Sequence, residues 1–541
     1  MRNEEVNTTF SFFISYSLFL ILPPCCHPFN NQTKLCMTTK ITIMAVAGCL
    51  GVGSSFAQFS LNGQLRTRTE LRDGLGTLNP KGADAAFFTS QRTRLTFGYR
   101  WDRLNFNVSV QDIRVWGQDA STITNADGNK LMVHEAWAEV VLMNASDTAI
   151  KTKGLDKLSF KIGRQALIYD DVRLLGDLDW LQQARRHDAL LVKAQHKGWQ
   201  FDLGLGFNQN SDAFGIMGTS YVAANVPPYV TNSMGELVAT PAGLLPLAPN
   251  GAVSAASSKN GNPVFANAPG TNGLNQQYKS MQMLYVSRLW GTTKFSGLFF
   301  KDDFAKYRLD SAGTAANGYV YGRRYDVKGV NSRLTYGLMI NGAAHNLNWQ
   351  AAAYLQSGKD RDGKTLHAAH YTVSAMFKHG KFSFGPGYDY LSGNTPTTND
   401  NHRFDPLYGT PHKHWGYMDY YYVGTGSPAG GLQNAYIKTK YQGSRYAVAV
   451  DLHHFRLAED MLDGNKNTID KNLGYEMDVT GSYNLNRFTT LEAGYSLMLA
   501  NNSTELVKRG TIDQAGHRPQ WAYLMINIRP DFFFTKTSTS K

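Results

Sequence analysis

The sequence predicts an all-β protein, a single transmembrane antiparallel β-barrel of about 18 strands with long extracellular loops and short periplasmic turns. Three observations support this prediction. Between Phe59 and Arg529, apolar residues occupy every second position in about eighteen stretches of about ten residues. The gaps between these stretches are alternately very short and long. After the first 57 residues, the chain has no apolar run of the roughly eighteen residues that a membrane-spanning helix needs.

The alternation gives each strand one face for lipid and one for water. In residues 200–208 the odd positions are Phe or Leu, whereas the even positions are polar or glycine. Residues 446–453 and 473–480 alternate in the same way. A soluble β-sandwich with one buried face would also alternate, but its strands usually have only about five or six residues. The length and number of the stretches therefore favour a barrel.

The gaps fall into two classes, which correspond to the two ends of a barrel. Short gaps predict periplasmic turns near 101–102, 197–198, 291–292, 342–345, 380, 442–443 and 485–487, with 144–156 as one longer periplasmic link. Long gaps predict extracellular loops at about 73–90, 115–130, 166–186, 209–278, 303–330, 357–367, 391–431, 456–472 and 500–518. An even number of strands places both termini in the periplasm.

The amino terminus predicts export from the cytoplasm. From Met37 a short basic region at Lys40 precedes an apolar core at 41–52 and small residues up to Ala57, as in a secretory signal peptide. We expect translation to start at Met37, residues 1–57 to be leader and signal peptide, and residues 58–541 to form the barrel. The alternative is a lipoprotein processed at Cys49. All four cysteines precede residue 58, so the mature chain would contain none.

The charge of the mature chain indicates which sign of solute charge its lumen attracts. Without residues 1–57 the chain has 51 basic and 40 acidic residues, an excess of +11. A lipid-facing Arg or Lys near the bilayer midplane costs roughly 2 to 4 kcal/mol, so basic residues inside strands should face the lumen. Such a lumen attracts anions. Alternatively, the arginines pair with acidic residues and brace the wall, and both roles remain open for each arginine.

One segment, residues 163–189, is unusually dense in arginines and carboxylates. It resembles the alginate export family of outer-membrane barrels. The resemblance continues at 66–70, 91–95, 111–117, 135–137, 385–393, 404–408 and 412–419, and so covers nearly the whole mature chain. It implies an eighteen-stranded barrel whose electropositive pore passes an anionic uronate polysaccharide, with acidic residues beside the cations to prevent overly tight binding.

The resemblance assigns candidate site residues. The pore role falls on Arg66, Arg68, Arg92, Arg94, Arg114, Arg164, Arg173, Arg185 and Arg186. Their acidic partners are Glu70, Glu135, Asp170, Asp171, Asp179 and Asp188. Arginine suits this role because its planar guanidinium can bind a carboxylate with two hydrogen bonds. Arg114 and Arg164 differ in parity from their basic neighbours, so the pore role requires a bulge or a loop-end position there.

Other chemistries are less well supported. The aspartates at 170–179 could bind calcium, but nearby arginines offer them ion pairs. His402, Asp405, His412 and His414 form a loose cluster that could attract zinc, yet solvated loop histidines explain it better. No nucleophile signature is present, so we expect no enzyme, no metal and no cofactor. Lumen arginines account for the basic charge without nucleic acid.

The sequence thus predicts a pore in the outer membrane of a Gram-negative cell envelope, for export of an alginate-like uronate polymer or for anion-selective diffusion. Its partners would be acidic polysaccharide or small acidic sugars, outer-membrane lipid and periplasmic secretion proteins, and the barrel would be a monomer. The alternative function is a structural or surface-interaction barrel that acts through its long extracellular loops. The loop at 209–278 would be a lid, a disordered surface loop or a partner contact.

Overall fold

A computed structural model describes residues 57–118, 131–145, 154–210, 221–222, 226, 228–247, 278–422 and 428–534. The predictions for residues 1–56, namely the signal peptide, the start at Met37, the lipoprotein alternative and the cysteines, lie outside these residues. Most of the 209–278 loop also lies outside them.

Within the described residues, eighteen antiparallel strands form one closed barrel, and the predicted fold class is confirmed. The strands are β1 (Gln58–Asp73), β2 (Ala86–Trp101), β3 (Leu104–Val115), β4 (Leu131–Asn144), β5 (Lys157–Gln165), β6 (His187–His196), β7 (Trp199–Phe207), β8 (Ser280–Trp290), β9 (Thr293–Ala305), β10 (Val330–Ala344), β11 (Leu347–Lys359), β12 (Thr365–His379), β13 (Phe382–Leu391), β14 (Leu432–Gln442), β15 (Tyr446–Arg456), β16 (Asn472–Asn484), β17 (Thr489–Leu499) and β18 (Gln520–Ile528). The barrel closes because β1 pairs with β2 on one side and with β18 on the other, and Asp531–Phe534 extends β18 along β1.

Burial follows the alternation of the sequence. In β7, Phe201 and Leu203 are 39% and 47% exposed, whereas Asp202 between them is 1% exposed. The apolar side chains thus stand on the outer face and the polar ones point into the barrel. Tight turns join the strands at one end and long loops at the other, as predicted. Among the described residues no helix is both long and apolar enough to cross a bilayer.

The buried core lies inside the barrel, where two loops pack against the inward-facing side chains of the strands. Loop A, residues 166–186, connects β5 to β6, and loop B, residues 392–431, connects β13 to β14. The loops meet where Leu175 and Tyr408 form a parallel bridge. Loop B reaches the walls as well, because the Tyr408 hydroxyl donates to Asp302 of β9 at 2.9 Å and the Met418 amide donates to Glu476 of β16 at 2.8 Å.

The remaining long loops carry small elements of their own. Short strands at Tyr229–Thr231 and Leu237–Ala239 form a hairpin. Leu244–Pro246 pairs with Gly318–Arg324, which in turn pairs with Arg308–Thr314, so the loops after β7 and β9 share a sheet. The helix α1, Asn502–Arg509, lies between β17 and β18. The described part of the 209–278 loop thus has regular structure at 228–247, and its role as a lid remains a prediction.

Candidate functional site

Three of the predicted pore arginines converge on one carboxylate inside the barrel. Asp179 of loop A accepts from Arg66, Arg92 and Arg94, with N···O distances of 3.3, 2.8 and 3.3 Å. Arg66 and Arg92 lie directly opposite each other on β1 and β2, where like charges repel. Burial raises the pKa of Asp179, but the hydrogen bond from Arg92 and the charges of the three arginines outweigh it, and the pKa lies below its ordinary value.

The wall arginines also hold the backbone of loop A. Arg66 donates to the carbonyl oxygens of Asp179, Trp180 and Leu181 at 2.8, 3.3 and 3.2 Å. Arg68 donates to the Trp180 carbonyl at 2.9 Å and lies over the Trp180 ring at 4.3 Å. Because Arg66 and Arg68 are 3% exposed and Arg92 is 0% exposed, these three side chains brace the loop.

Glu70 and Arg173 extend this network to other strands. Glu70 pairs with Arg68 at 2.9 Å and accepts from the Trp521 ring nitrogen of β18 at 3.0 Å. Arg173 of loop A pairs with Asp171 at 3.1 Å and with Asp389 of β13 at 2.7 Å. Burial lowers the pKa of Arg173, but the two carboxylates outweigh it and raise the pKa.

Asp170 and Arg185 add further contacts of loop A. Asp170 accepts from Tyr285 of β8 at 2.7 Å and from Lys294 and Ser296 of β9 at 3.0 and 2.9 Å. Arg185 donates to the Gly409 carbonyl of loop B at 2.6 Å. Since loop A reaches β1, β2, β8, β9 and β13, it crosses the lumen from one wall to another.

Two predicted pore arginines are not in the lumen. Arg164 shares its face of β5 with Ile162, which is 51% exposed, while Gln165 on the other face is fully buried. It pairs with Asp188 at 2.9 Å on this outer face. Arg114 likewise pairs with Asp112 at 2.7 Å on the face of β3 opposite the buried Gln111. The structure corrects the predicted positions because strand alternation alone turns both side chains outward, near the extracellular strand ends.

The last two predicted residues stand apart from the arginine cluster. Glu135 accepts from the ring nitrogen of Trp137 at 3.1 Å on the same strand. Arg186 lies at the end of loop A, where it donates to the Gln183 carbonyl at 3.3 Å. Burial is the main cause of a lowered pKa at Arg186, and the charge of Arg164 adds to it. Neither residue contacts Asp179.

A cavity of about 660 Å³ lies below loops A and B, toward the periplasmic turns. Its wall includes residues near the short-turn ends of β13, β15 and β16, and we call it the vestibule. Its charged lining comprises Arg173, Lys413, Lys438 and Lys440 with Asp171, Asp451 and Glu492. Lys438 pairs with Asp451 at 2.7 Å. Lys413 and Lys440 are exposed and form no ion pair with any described residue.

The vestibule also presents aromatic faces. Trp180, Tyr417, Tyr436 and Tyr523 line it, and the Trp180 ring stacks on His412 with 4.6 Å between centroids. A concave site with aromatic walls and a few charged groups is typical of ligand binding. Lys438 and Lys440 share the inward parity of β14, so the rule that basic residues inside strands face the lumen marks both of them. Lys413 lies in a loop without periodicity, so only its place within the 412–419 resemblance could have marked it.

Two of the loop histidines, His412 and His414, are buried rather than solvated, and for them the sequence interpretation was wrong. His412 and His414 are 6% and 8% exposed. His412 pairs with Asp419 at 2.6 Å, and His414 lies 3.1 Å from the carbonyl oxygen of Asp171. Among the described residues, no group of three or more His, Cys, Asp or Glu side chains could hold a metal ion.

The sequence model of a family described as alginate export matches residues 57–205 and 300–505. The crystal structure of Pseudomonas aeruginosa OpdO is similar with a TM-score of 0.50 at 10% identity, over 88% of this chain and 98% of that one. Pseudomonas aeruginosa OccK1 (OpdK) gives 0.47 at 9% identity, over 88% and 99%. No curated protein matches the sequence.

Proposed function

Because this chain belongs to the alginate export family and is an outer-membrane barrel of the transport-channel class, we propose that it is an anion-selective pore for an alginate-like uronate polysaccharide. The observation that carries the proposal is the vestibule, where Lys413 and Lys440 project into a cavity without carboxylate partners among the described residues. A uronate carboxylate would supply the negatively charged partner that these two ammonium groups do not have within the described residues.

The balance of charge in the vestibule favours passage of a polyanion over its tight binding. Lys438 is already paired with Asp451, and Glu492 lies on the same cavity wall. A pore conducts when its sites bind well enough to admit a solute and weakly enough to release it. Alternating free and paired cations therefore favour movement of a polyanion along the wall, while Tyr417 and Tyr523 offer flat apolar surfaces to the sugar rings.

The arginine cluster at Asp179 would form a second binding site for the polysaccharide. Arg94 is its most accessible cation, with a side chain 16% exposed, and Asp179 is 34% exposed. The carboxylate of Asp179 keeps Arg94 from binding a uronate too tightly, while the buried Arg66 and Arg92 brace loop A. A barrel has no motor, so gradients and periplasmic partners would set the direction of transport.

Planar-bilayer conductance of the refolded protein tests the proposal. We expect anion selectivity and a current that oligouronates block but neutral oligosaccharides of equal length do not. The double variant K413Q/K440Q should raise the half-blocking oligouronate concentration about thirtyfold, since each lost charge weakens the attraction by about 1 kcal/mol and the two together weaken it by about 2 kcal/mol. The matched control is K364Q, at an exposed extracellular turn.

A silent or cation-selective pore would contradict the proposal. It would favour instead a surface-interaction barrel that acts through its loops. Equal block of the double variant and the wild type would remove the vestibule lysines from the pathway.

A further inference from the structure

An apolar groove lies on the outer surface of the barrel, on β7 to β11. Its volume is about 570 Å³. Phe295 and Leu338 protrude beside it, 46% and 70% exposed, and the small residues Gly297, Ala351 and Ala353 leave the space between them. A Cβ atom on Gly297 would lie 3.3 Å from Leu338 Cδ2. The groove exists because small and large residues alternate on the lipid face.

A single arginine stands at the periplasmic end of this groove. Arg288 on β8 pairs in register with Phe295, which lines the groove, and with Trp199 of β7. Its guanidinium carbon lies 5.1 Å from the Trp199 ring and 5.9 Å from the Trp290 ring. Arg288 is exposed, and no described carboxylate pairs with it.

This position demands an anionic partner outside the protein. Trp199 and Trp290 mark the membrane interface, where tryptophan rings lie at the level of the lipid headgroups. An arginine on the outer wall at this depth extends its charge toward those headgroups. The groove continues from Arg288 toward the bilayer centre, since Val286 and Gly297 form the next row of outward residues.

We propose that this groove binds one anionic glycerophospholipid of the periplasmic leaflet. Its phosphate pairs with Arg288 between the two tryptophans, and one acyl chain lies along Gly297 and Ala353. The outer wall of a membrane barrel is covered by lipid, and the charge of Arg288 selects the lipid phosphate. This site is separate from the lumen and does not depend on what the pore transports.

Native mass spectrometry of the full barrel, released from micelles that contain phosphatidylglycerol, tests this proposal. The wild type should retain one phosphatidylglycerol. R288Q should retain about fivefold less, as expected for loss of one basic contact with a headgroup. A351L, which fills the groove without touching Arg288, should also lose the lipid.

The matched control is R487Q. Arg487 lies in the periplasmic turn between β16 and β17 and stacks over Phe488 at 4.3 Å, but it borders no part of the groove. It should bind phosphatidylglycerol as the wild type does, and R288Q should conduct like the wild type. Equal lipid retention by wild type, R288Q and A351L would overturn the proposal, as would equal loss in R487Q.

Discussion

Asp179 places one negative charge among three arginine side chains, and this residue decides how loop A is held. We expect D179N to lower the free energy of unfolding by about 2 to 3 kcal/mol, because the amide removes the charge and presents donors to Arg66 and Arg92. Guanidinium unfolding of the barrel in detergent measures this change. D177N is the control on the same loop. An equal loss of unfolding free energy in both variants would show that the contacts of Asp179 with the arginines do not stabilise the barrel.

Gly409 is a second residue on which the loops depend. A Cβ atom there would lie 1.9 Å from the carbonyl oxygen of Arg173. This oxygen belongs to the backbone and cannot move aside as a flexible side chain could. We expect G409A to separate loop B from loop A, to destabilise the fold by about 1 to 3 kcal/mol and to increase cleavage of both loops by protease. In G464A a Cβ meets nothing within 4 Å, so this control should behave like the wild type.

At the scale of an element, α1 is fixed at both ends and through Glu505. The Asn501 side chain accepts from the Thr504 amide, and Gly510 ends the helix in the left-handed conformation at φ 70°. Glu505 is fully buried and accepts from His517 at 3.0 Å and from the Gln514 amide at 2.9 Å. Burial raises the pKa of Glu505, but these donors outweigh it and lower the pKa to about 2.

This lowered pKa predicts a pH window for the stability of α1. The contribution of Glu505 is complete above the ordinary pKa of 4.5 and disappears as the pH falls to about 2. E505Q should therefore be less stable than the wild type by about 1 to 2 kcal/mol at pH 7, and the difference should vanish near pH 2. Hydrogen exchange of the α1 amides measures it. A difference that does not change with pH would show that the charge of Glu505 is irrelevant.

At the scale of the whole molecule, strand alternation predicted the barrel, its turns and its loops. The same parity placed Arg66, Arg92 and Lys440 inside. It could not show that Arg66 and Arg92 meet Asp179, because that contact joins strands to a distant loop through folding in three dimensions. Arg114 was misplaced for a different reason: the resemblance gave it a pore role against its own parity, and the structure follows the parity.

The excess positive charge predicts a salt dependence of selectivity. The ratio of anion to cation permeability should fall between about 0.1 and 1 M salt, because the Debye length shrinks from roughly 10 to 3 Å and screens the lumen cations. Reversal potentials across a bilayer measure this ratio at constant gradient. A ratio independent of salt would assign selectivity to pore size instead of charge.

The span of loop A has a consequence for how the protein assembles. Its contacts on β1, β2, β8, β9 and β13 come from strands far apart in the chain, so the complete set of contacts forms only when all five strands are in place. We therefore predict that loop A completes its docking only after these strands have met, because such contacts join distant parts of the chain. Fluorescence of Trp180, which lies within the loop against Arg68 and His412, should change after the strand signal is complete. The docking of loop A, detected at Trp180, would therefore indicate that closure of the barrel is complete.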